Sequence, residues 1–156
     1  MKADNGTLVD TQFSVFLANK PGLLAQVCQQ LASEKINIVA MSMMDASEHG
    51  VLRLVVEDSG RARQVFARLN LPTTETKVLL TTLPNRPGAL ADVVERLASE
   101  HISVNYAYCT AGAPGGKAIG IFRVSDLKRA EKVLAERRPR RKASPAVRAQ
   151  PSARRG

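Results

Sequence analysis

The chain has 156 residues, of which 44% are hydrophobic and 4% aromatic, and its formal net charge is +9. This length allows one compact domain or two very small ones, and the two cysteines, Cys28 and Cys109, are too few for a disulfide framework or a cysteine-based metal site. No stretch approaches the roughly 18 consecutive apolar residues of a membrane-spanning helix, so the expectation is a soluble, cytoplasmic protein without membrane partners.

The positive charge is concentrated in residues 137–156, which contain eight Lys and Arg residues and no Asp or Glu. Residues 1–136 are therefore nearly neutral. Three prolines and one bulky apolar residue, Val147, predict that residues 137–156 form a disordered basic tail. Such a tail has two interpretations, a solubilising end or a segment that binds nucleic-acid phosphates.

The first half of the chain predicts the element order β-α-β-β-α. Apolar residues alternate with polar ones in its strands and recur at i, i+3, i+4 and i+7 in its helices. The predicted segments are a strand over 7–18, a helix from Leu24, strands over 36–44 and 51–57 joined as a hairpin, and a helix capped by Asp58 or Ser59 that ends before Pro72.

The second half repeats this order. Its segments are a strand over 75–83, a helix over 90–100, strands over 102–110 and 118–124, and a helix capped by Asp126. Residues 19–42 and 85–108 are identical at eleven of 24 positions, where chance would give about one or two, so the chain contains a duplication. We expect two units, residues 7–72 and 73–136.

These patterns predict an α+β fold in which two helices cover one face of an antiparallel sheet. The first unit can take a fourth strand from the beginning of residues 74–83. No strand follows the last helix of the second unit, so either another chain or the N-terminal residues Thr7 to Asp10 would complete its sheet.

The repeated turn between the first strand and the first helix of each unit is the main candidate site. Its two copies are Asn19, Lys20, Pro21, Gly22, Leu23 and Leu24, and Asn85, Arg86, Pro87, Gly88, Ala89 and Leu90. Pro-Gly suits the centre of a type II turn, and the N–H groups that begin the next helix favour an anion such as a carboxylate. The alternative is a purely structural turn with Asn as its cap.

Asn37, Asn105 and Tyr106 are weaker candidates for ligand contact. Asn37 and Asn105 lie near the second strand of their units, where an amide can bind a ligand or nearby backbone. Tyr106 and Tyr108 share one face of a predicted strand, at positions where the first repeat has Ala40 and Ser42. The two tyrosines either fill a core or interface or make the two sites unequal.

The sequence contains no motif that indicates catalysis, a metal site or a cofactor. His49 and His101 are isolated on a turn and at a helix end. We therefore expect a protein that is not an enzyme and needs no cofactor.

The sequence Asn-x-Pro-Gly-x-Leu-Ala, followed by a helix that ends in Leu-Ala-Ser-Glu and by an isoleucine-containing strand, resembles the ACT domain. Residues 7–136 as a whole resemble a stand-alone pair of ACT domains. The resemblance implies a ferredoxin-like βαββαβ fold and a regulatory function in which an amino acid or similar effector binds between paired ACT units. It also implies that the turns at 19–24 and 85–90 contact the effector, and that the second strand of a neighbouring unit closes the site.

By the same resemblance the expected partners are an amino-acid effector, a second copy of the chain in a homodimer, and an enzyme regulated in trans. Two alternatives stay open. One is a nucleic-acid-associated protein that binds through the tail, and the other is a structural pairing module without a ligand.

Overall fold

The computed structural model describes residues 6–44, 49–110 and 116–136. The predicted basic tail and parts of both predicted hairpin turns lie outside these residues. The elements are β1 (Thr7–Ala18), α1 (Leu23–Ser33), β2 (Ile38–Met44), β3 (His49–Val56), α2 (Ser59–Arg68), β4 (Thr73–Pro84), α3 (Ala89–Ser99), β5 (Val104–Cys109), β6 (Lys117–Val124) and α4 (Leu127–Ala135).

The six strands form one sheet in the order β2-β3-β1-β4-β6-β5, and every neighbouring pair is antiparallel. Each unit contributes the predicted order β-α-β-β-α, and the predicted hairpins β2-β3 and β5-β6 are present. The α+β, ferredoxin-like tandem architecture predicted from the sequence is confirmed. The predicted unit boundary between residues 72 and 73 falls directly before β4.

The central strands β1 and β4 each serve both units. They pair from Thr7 opposite Thr81 to Val15 opposite Thr73, while the second half of β1 also pairs with β3 and the second half of β4 with β6. The first half of β4 is the fourth strand of the first unit. The first half of β1 is the fourth strand of the second unit, so the N-terminal residues complete that sheet.

The helices α2 and α4 begin at aspartate caps, as the sequence predicts. Asp58 Oδ1 accepts a hydrogen bond from the Arg61 backbone N–H at 2.9 Å, and Asp126 Oδ1 accepts one from Arg129 N–H at 3.0 Å. Each cap satisfies an N–H group that has no partner within its helix. The N–H and guanidinium of Arg61 hold the pKa of the Asp58 carboxyl below its usual range.

Each unit has its own apolar core between the helices and the sheet. In the first core the rings of Phe13 and Phe66 meet edge to face, with centroids 5.1 Å apart and planes at 61°, a favourable aromatic geometry. Phe13, Val15 and Leu17, which the alternating pattern places on one face of the strand, are all buried there. The second core is formed mainly by Leu79, Leu83, Val93, Leu97, Ile102, Phe122, Val124, Ala130 and Leu134.

A third apolar cluster lies on the sheet face that points away from the helices, which we call the inner face. Its buried members are Ala40, Val55, Val78, Leu80 and Ile121. They are buried because the sheet is curled, which brings strands that are not neighbours in the sheet into contact. Tyr106 and Tyr108 of β5 form hydrogen bonds with Gln12 of β1, although β4 and β6 lie between these two strands in the sheet. The inner face is therefore the contact region of the two units.

Candidate functional site

The two Pro-Gly turns lie at opposite ends of the central strand pair, because β1 and β4 are antiparallel and each turn follows the end of its strand. Nine positions of the two strands are paired, and this ladder spans roughly 30 Å at ~3.4 Å per residue. The turns therefore cannot contact one small ligand together within this chain.

Gly22 and Gly88 are the N-cap residues of α1 and α3 and have left-handed backbones, with φ of 91° and 85°. Neither helix has a side-chain cap. The first N–H of each helix donates within its own turn, from Leu23 to the Lys20 carbonyl and from Ala89 to the Arg86 carbonyl, so an anion would be bound by the N–H groups that follow. A Cβ added to Gly22 would meet nothing within 4 Å, and one added to Gly88 would come no closer than 3.6 Å to Arg86 Nη1. Within the chain, glycine is required by φ rather than by a close neighbour.

The second turn differs from the first because an ion pair covers it. Arg86 Nη2 lies 2.7 Å from Asp92 Oδ2 in the first turn of α3, and Arg86 Nη1 donates to the Pro87 carbonyl at 3.1 Å. The equivalent positions in the first turn are Lys20 and Gln26, which cannot form this pair. The two turns thus have the same backbone but different electrostatics.

A cavity of about 410 Å³, which we call the inter-unit cavity, lies on the inner face where β2 of the first unit approaches β1, β4 and β6. This volume is within the usual range of small-molecule sites, about 300–1,000 Å³. Its apolar lining comes from four strands and consists of Leu8, Ile38, Val39, Leu80 and Ile119. Its polar lining consists of Asn37, Glu57, Thr81 and Thr82.

The polar rim of the inter-unit cavity contains both hydrogen-bond donors and acceptors. Asn37 Nδ2 donates to Glu57 Oε1 at 3.2 Å, and the Glu57 backbone N–H donates to the Asn37 carbonyl at 3.1 Å. Both side chains are exposed, so their remaining polar atoms face solvent. A carboxylate beside an amide can accept hydrogen bonds from an ammonium group, while the amide and the Thr82 hydroxyl can donate to a carboxylate.

A second cavity, of about 200 Å³, lies on the helix side of the same strands and shares Gly6, Thr81 and Thr82 with the inter-unit cavity. Arg86 and Ala89 of the second turn line this second cavity. The two cavities therefore place the second Pro-Gly turn at the same end of β4 as the inter-unit cavity.

On the other half of the inner face, one buried amide holds both tyrosines. Gln12 is fully buried, its Nε2 donates to Tyr106 Oη at 2.8 Å, and its Oε1 accepts from Tyr108 Oη at 3.0 Å. The Arg53 guanidinium carbon lies 4.1 Å from the centroid of the Tyr106 ring, within the range of a cation–π interaction. Burial raises the pKa of the Tyr108 hydroxyl well above its ordinary value.

The structure separates the residues that the sequence singled out. Asn37 lines the inter-unit cavity, and Arg86 and Ala89 line the second cavity. Residues 19–24 line neither of these two cavities, Asn105 is exposed on β5, and Tyr106 belongs to the Gln12 network. The remaining predicted residues of the second turn, Asn85, Pro87, Gly88 and Leu90, lie at the same end of the sheet as both cavities and line neither.

The apolar wall of the inter-unit cavity was not predicted from the sequence. Leu8, Leu80 and Ile119 alternate with residues that pack against the helices, so both faces of their strands are apolar. An antiparallel sheet with one solvated face has apolar residues mainly on its buried face. The apolar residues on both faces of these strands therefore indicate, from the sequence alone, that this part of the sheet is covered on both sides.

The described residues contain neither a candidate metal site nor a helix that could cross a membrane. Within 6–44, 49–110 and 116–136, no group of three or more His, Cys, Asp or Glu side chains could hold a metal ion. In the same part of the chain, no helix has the length and apolar character needed to cross a membrane.

Comparison with known proteins gives a family. The sequence pattern of the ACT domain pair matches residues 8–141. Protein BT0572 from Bacteroides thetaiotaomicron has a similar crystal structure, with 33% sequence identity, a TM-score of 0.75, and coverage of 82% of this chain and 88% of that one. No curated protein matches the chain.

More distant similarities concern the fold. The ligand-free regulatory subunit of aspartate kinase from Thermus thermophilus is 14% identical, with a TM-score of 0.60 and coverage of 85% of this chain and 97% of that one. The regulatory subunit of aspartate kinase from Thermus flavus is 15% identical, with a TM-score of 0.56 and coverage of 83% and 92%. The family match spans both units, and the chain therefore belongs to the ACT domain pair family.

Proposed function

We propose that this protein is a non-catalytic regulatory sensor that binds an amino acid, or a similar small carboxylate effector, in the inter-unit cavity. The observation that carries this proposal is the cavity of about 410 Å³ between β2 of one unit and β4 and β6 of the other. The family match adds support, because the structures of similar fold include regulatory subunits of aspartate kinase.

The chemistry of the cavity suits a zwitterion. The Glu57 carboxylate and the Asn37 amide at the rim can bind the charged ends of an amino acid, and the apolar wall can contain its side chain.

Effector binding would regulate a partner by favouring one arrangement of the two units. An effector in the cavity contacts β2 of the first unit and β4 and β6 of the second, so it binds most tightly to the arrangement in which these strands are close. By linkage, a partner that recognises this arrangement binds more tightly when the effector is present. The partner would be a regulated enzyme or a second copy of the chain in a homodimer.

A thermal-shift panel of the twenty standard amino acids tests the proposal. An effector at about 100 times its dissociation constant adds ~2.7 kcal/mol to the free energy of unfolding, which is a clear rise in melting temperature. Asn37→Ala and Glu57→Gln should reduce the shift. Ser103→Ala and Ser125→Ala, at the equivalent rim positions of the second unit, are the matched controls. A folded sample that responds to none of the twenty would contradict the proposal.

The alternative of nucleic-acid binding through the tail has a separate test. Removing residues 137–156 should leave the amino-acid response unchanged if the cavity is the functional site. If the tail is the functional segment, the same deletion abolishes salt-sensitive retention of RNA or DNA. If the chain is only a structural pairing module, neither property is present in the full-length protein.

A further inference from the structure

The duplication divides the inner face into two halves whose positions correspond one to one. The offset is 66 residues from β1 through β2 and 68 residues in β3, because the second hairpin is two residues longer. The bulges support this correspondence: Ala40 pairs with Val55 directly after the irregularity in β2, and Tyr106 pairs with Arg123 directly after that in β5. Each residue near the cavity therefore has a defined counterpart.

The half that contains the cavity is apolar. Ala40, Val78 and Ile121 are at most 4% exposed and belong to the buried apolar cluster of the inner face, which we call the base of this half. Leu8, Val39 and Ile119 pack against this base and also line the cavity. An apolar ligand side chain would meet aliphatic carbon from several strands there.

The counterpart half is polar and more open. Tyr106 replaces Ala40, Gln12 replaces Val78, and Arg53 replaces Ile121. Tyr106 contacts both of the others, since Gln12 donates a hydrogen bond to its hydroxyl and Arg53 stacks on its ring. The small side chain of Ala40 leaves the centre of one half open, and the ring of Tyr106 fills the same position on the other half.

The margins of the counterpart half also differ from the cavity wall. Thr74 takes the place of Leu8, Asn105 of Val39, and Phe16 of Thr82. All three are exposed, Phe16 to 39% of its surface. The margins of this half are therefore open to solvent, and an aliphatic side chain placed there would remain in contact with water.

We propose that each chain binds one effector molecule, not two, and that this effector has an apolar side chain. The inter-unit cavity receives it. The counterpart half does not, because Tyr106, Gln12 and Arg53 make its base polar and its margin residues Thr74 and Asn105 are exposed. This inference rests on the proposed function, since it specifies the number and chemical class of the effector that the cavity holds.

Equilibrium dialysis of the full-length protein tests both parts. The probes are radiolabelled L-leucine, L-isoleucine, L-valine, L-methionine and L-phenylalanine, with L-aspartate, L-lysine and L-serine as polar comparisons. The expected result is that at least one apolar probe binds and saturates at one molecule per chain, while the polar probes bind more weakly. Saturation at two per chain, or tighter binding of the polar probes, would overturn the inference and leave the sensor proposal intact. A response to none of the twenty amino acids would remove both proposals.

A pair of exchange variants tests the position of the site. Leu8→Thr gives the cavity wall the residue found at its counterpart, and we expect it to weaken binding of the apolar probe by about tenfold or more, the scale of a lost apolar contact in a pocket. Thr74→Leu makes the reverse change at the exposed margin of the counterpart half and should leave both the affinity and the stoichiometry of the apolar probe unchanged. Equal weakening by the two variants, with both proteins folded by circular dichroism, would contradict the assignment to the cavity.

Discussion

Thr11 and Lys77 face each other across β1 and β4, and they occupy the same position in the two repeats because 66 residues separate them. Lys77 Nζ donates a hydrogen bond to Thr11 Oγ1 at 2.7 Å. A pseudo-twofold axis therefore passes between these two residues. Around this axis the first half of each central strand completes the sheet of the other unit, so neither unit has a four-stranded sheet of its own.

The shared strands predict that the two units unfold together. Both tyrosines, Tyr106 and Tyr108, lie in the second unit and the chain contains no tryptophan. Tyrosine fluorescence therefore reports on the second unit and on its contact with Gln12, while far-ultraviolet circular dichroism reports on both units. Urea curves from the two signals should coincide, as expected for a single cooperative transition. A fluorescence transition clearly separated from the dichroism transition would show that the units unfold independently.

The fold was predictable from the sequence because its signals are local. Apolar periodicity and aspartate caps such as Asp58 place the helices, and the repeat identifies two equivalent units. The source of the last strand was not predictable, since pairing of Thr7 with Thr81 connects residues far apart in sequence. An alternating pattern shows that a segment is a strand and which face it buries, but not which strand is its partner. The N-terminal strand was only one of two alternatives until the pairing was known.

Gln12 is predicted to stabilise the contact between the units through its two hydrogen bonds. Gln12→Leu keeps a side chain of similar size but leaves the hydroxyls of Tyr106 and Tyr108 without their amide partner in a partly buried position. The free energy of unfolding should fall by about 1–3 kcal/mol, the usual effect of an unsatisfied buried polar group. Urea unfolding followed by circular dichroism measures this change.

A triple variant provides the control for the Gln12 prediction. Adding Tyr106→Phe and Tyr108→Phe to Gln12→Leu removes the unsatisfied hydroxyls, and most of the lost stability should return. If the triple variant is as unstable as Gln12→Leu alone, the loss comes from the shape of the side chain and not from hydrogen bonding.

The protein should lose stability in alkaline solution because of Tyr108. Burial holds the pKa of this hydroxyl above its ordinary value, so the unfolded chain ionises at about pH 10 while the folded chain stays protonated to higher pH. Ionisation then favours the unfolded state, and the free energy of unfolding decreases as pH rises above about 10. Urea unfolding from about pH 8 to about pH 11 should show a smaller decrease for Tyr108→Phe than for the unchanged chain. Identical pH profiles would contradict this role of the hydroxyl.

The candidate site was only partly predictable for a related reason. The turns were predictable because Pro21-Gly22 and Pro87-Gly88 are repeated, and Asn37 was predictable from its position near a strand. The cavity itself is formed by side chains from four strands of both units, among them Leu8 and Ile119. Their proximity results from the curling of the sheet, which no short motif encodes.

The two turn glycines are predicted to be required for backbone conformation. At φ near 90° a Cβ is unfavourable by roughly 1–2 kcal/mol, so Gly22→Ala and Gly88→Ala should each lower the free energy of unfolding by about that amount. Asn is tolerated in left-handed conformations, and Gly22→Asn should be less destabilising. Gly60, in α2 and without a positive φ, is the matched control, and Gly60→Ala should be neutral or stabilising.

The same variants distinguish turn geometry from ligand contact. A Cβ at Gly22 meets no protein atom within 4 Å. If Gly22→Ala stays folded and binds the effector less tightly, the loss of affinity therefore comes from contact between the new Cβ and the effector. If Gly88→Ala weakens effector binding while Gly22→Ala does not, the effector reaches the turn at the cavity end of β4. If both variants lose stability and bind normally, the glycines serve only the turns, and recognition belongs to the cavity wall.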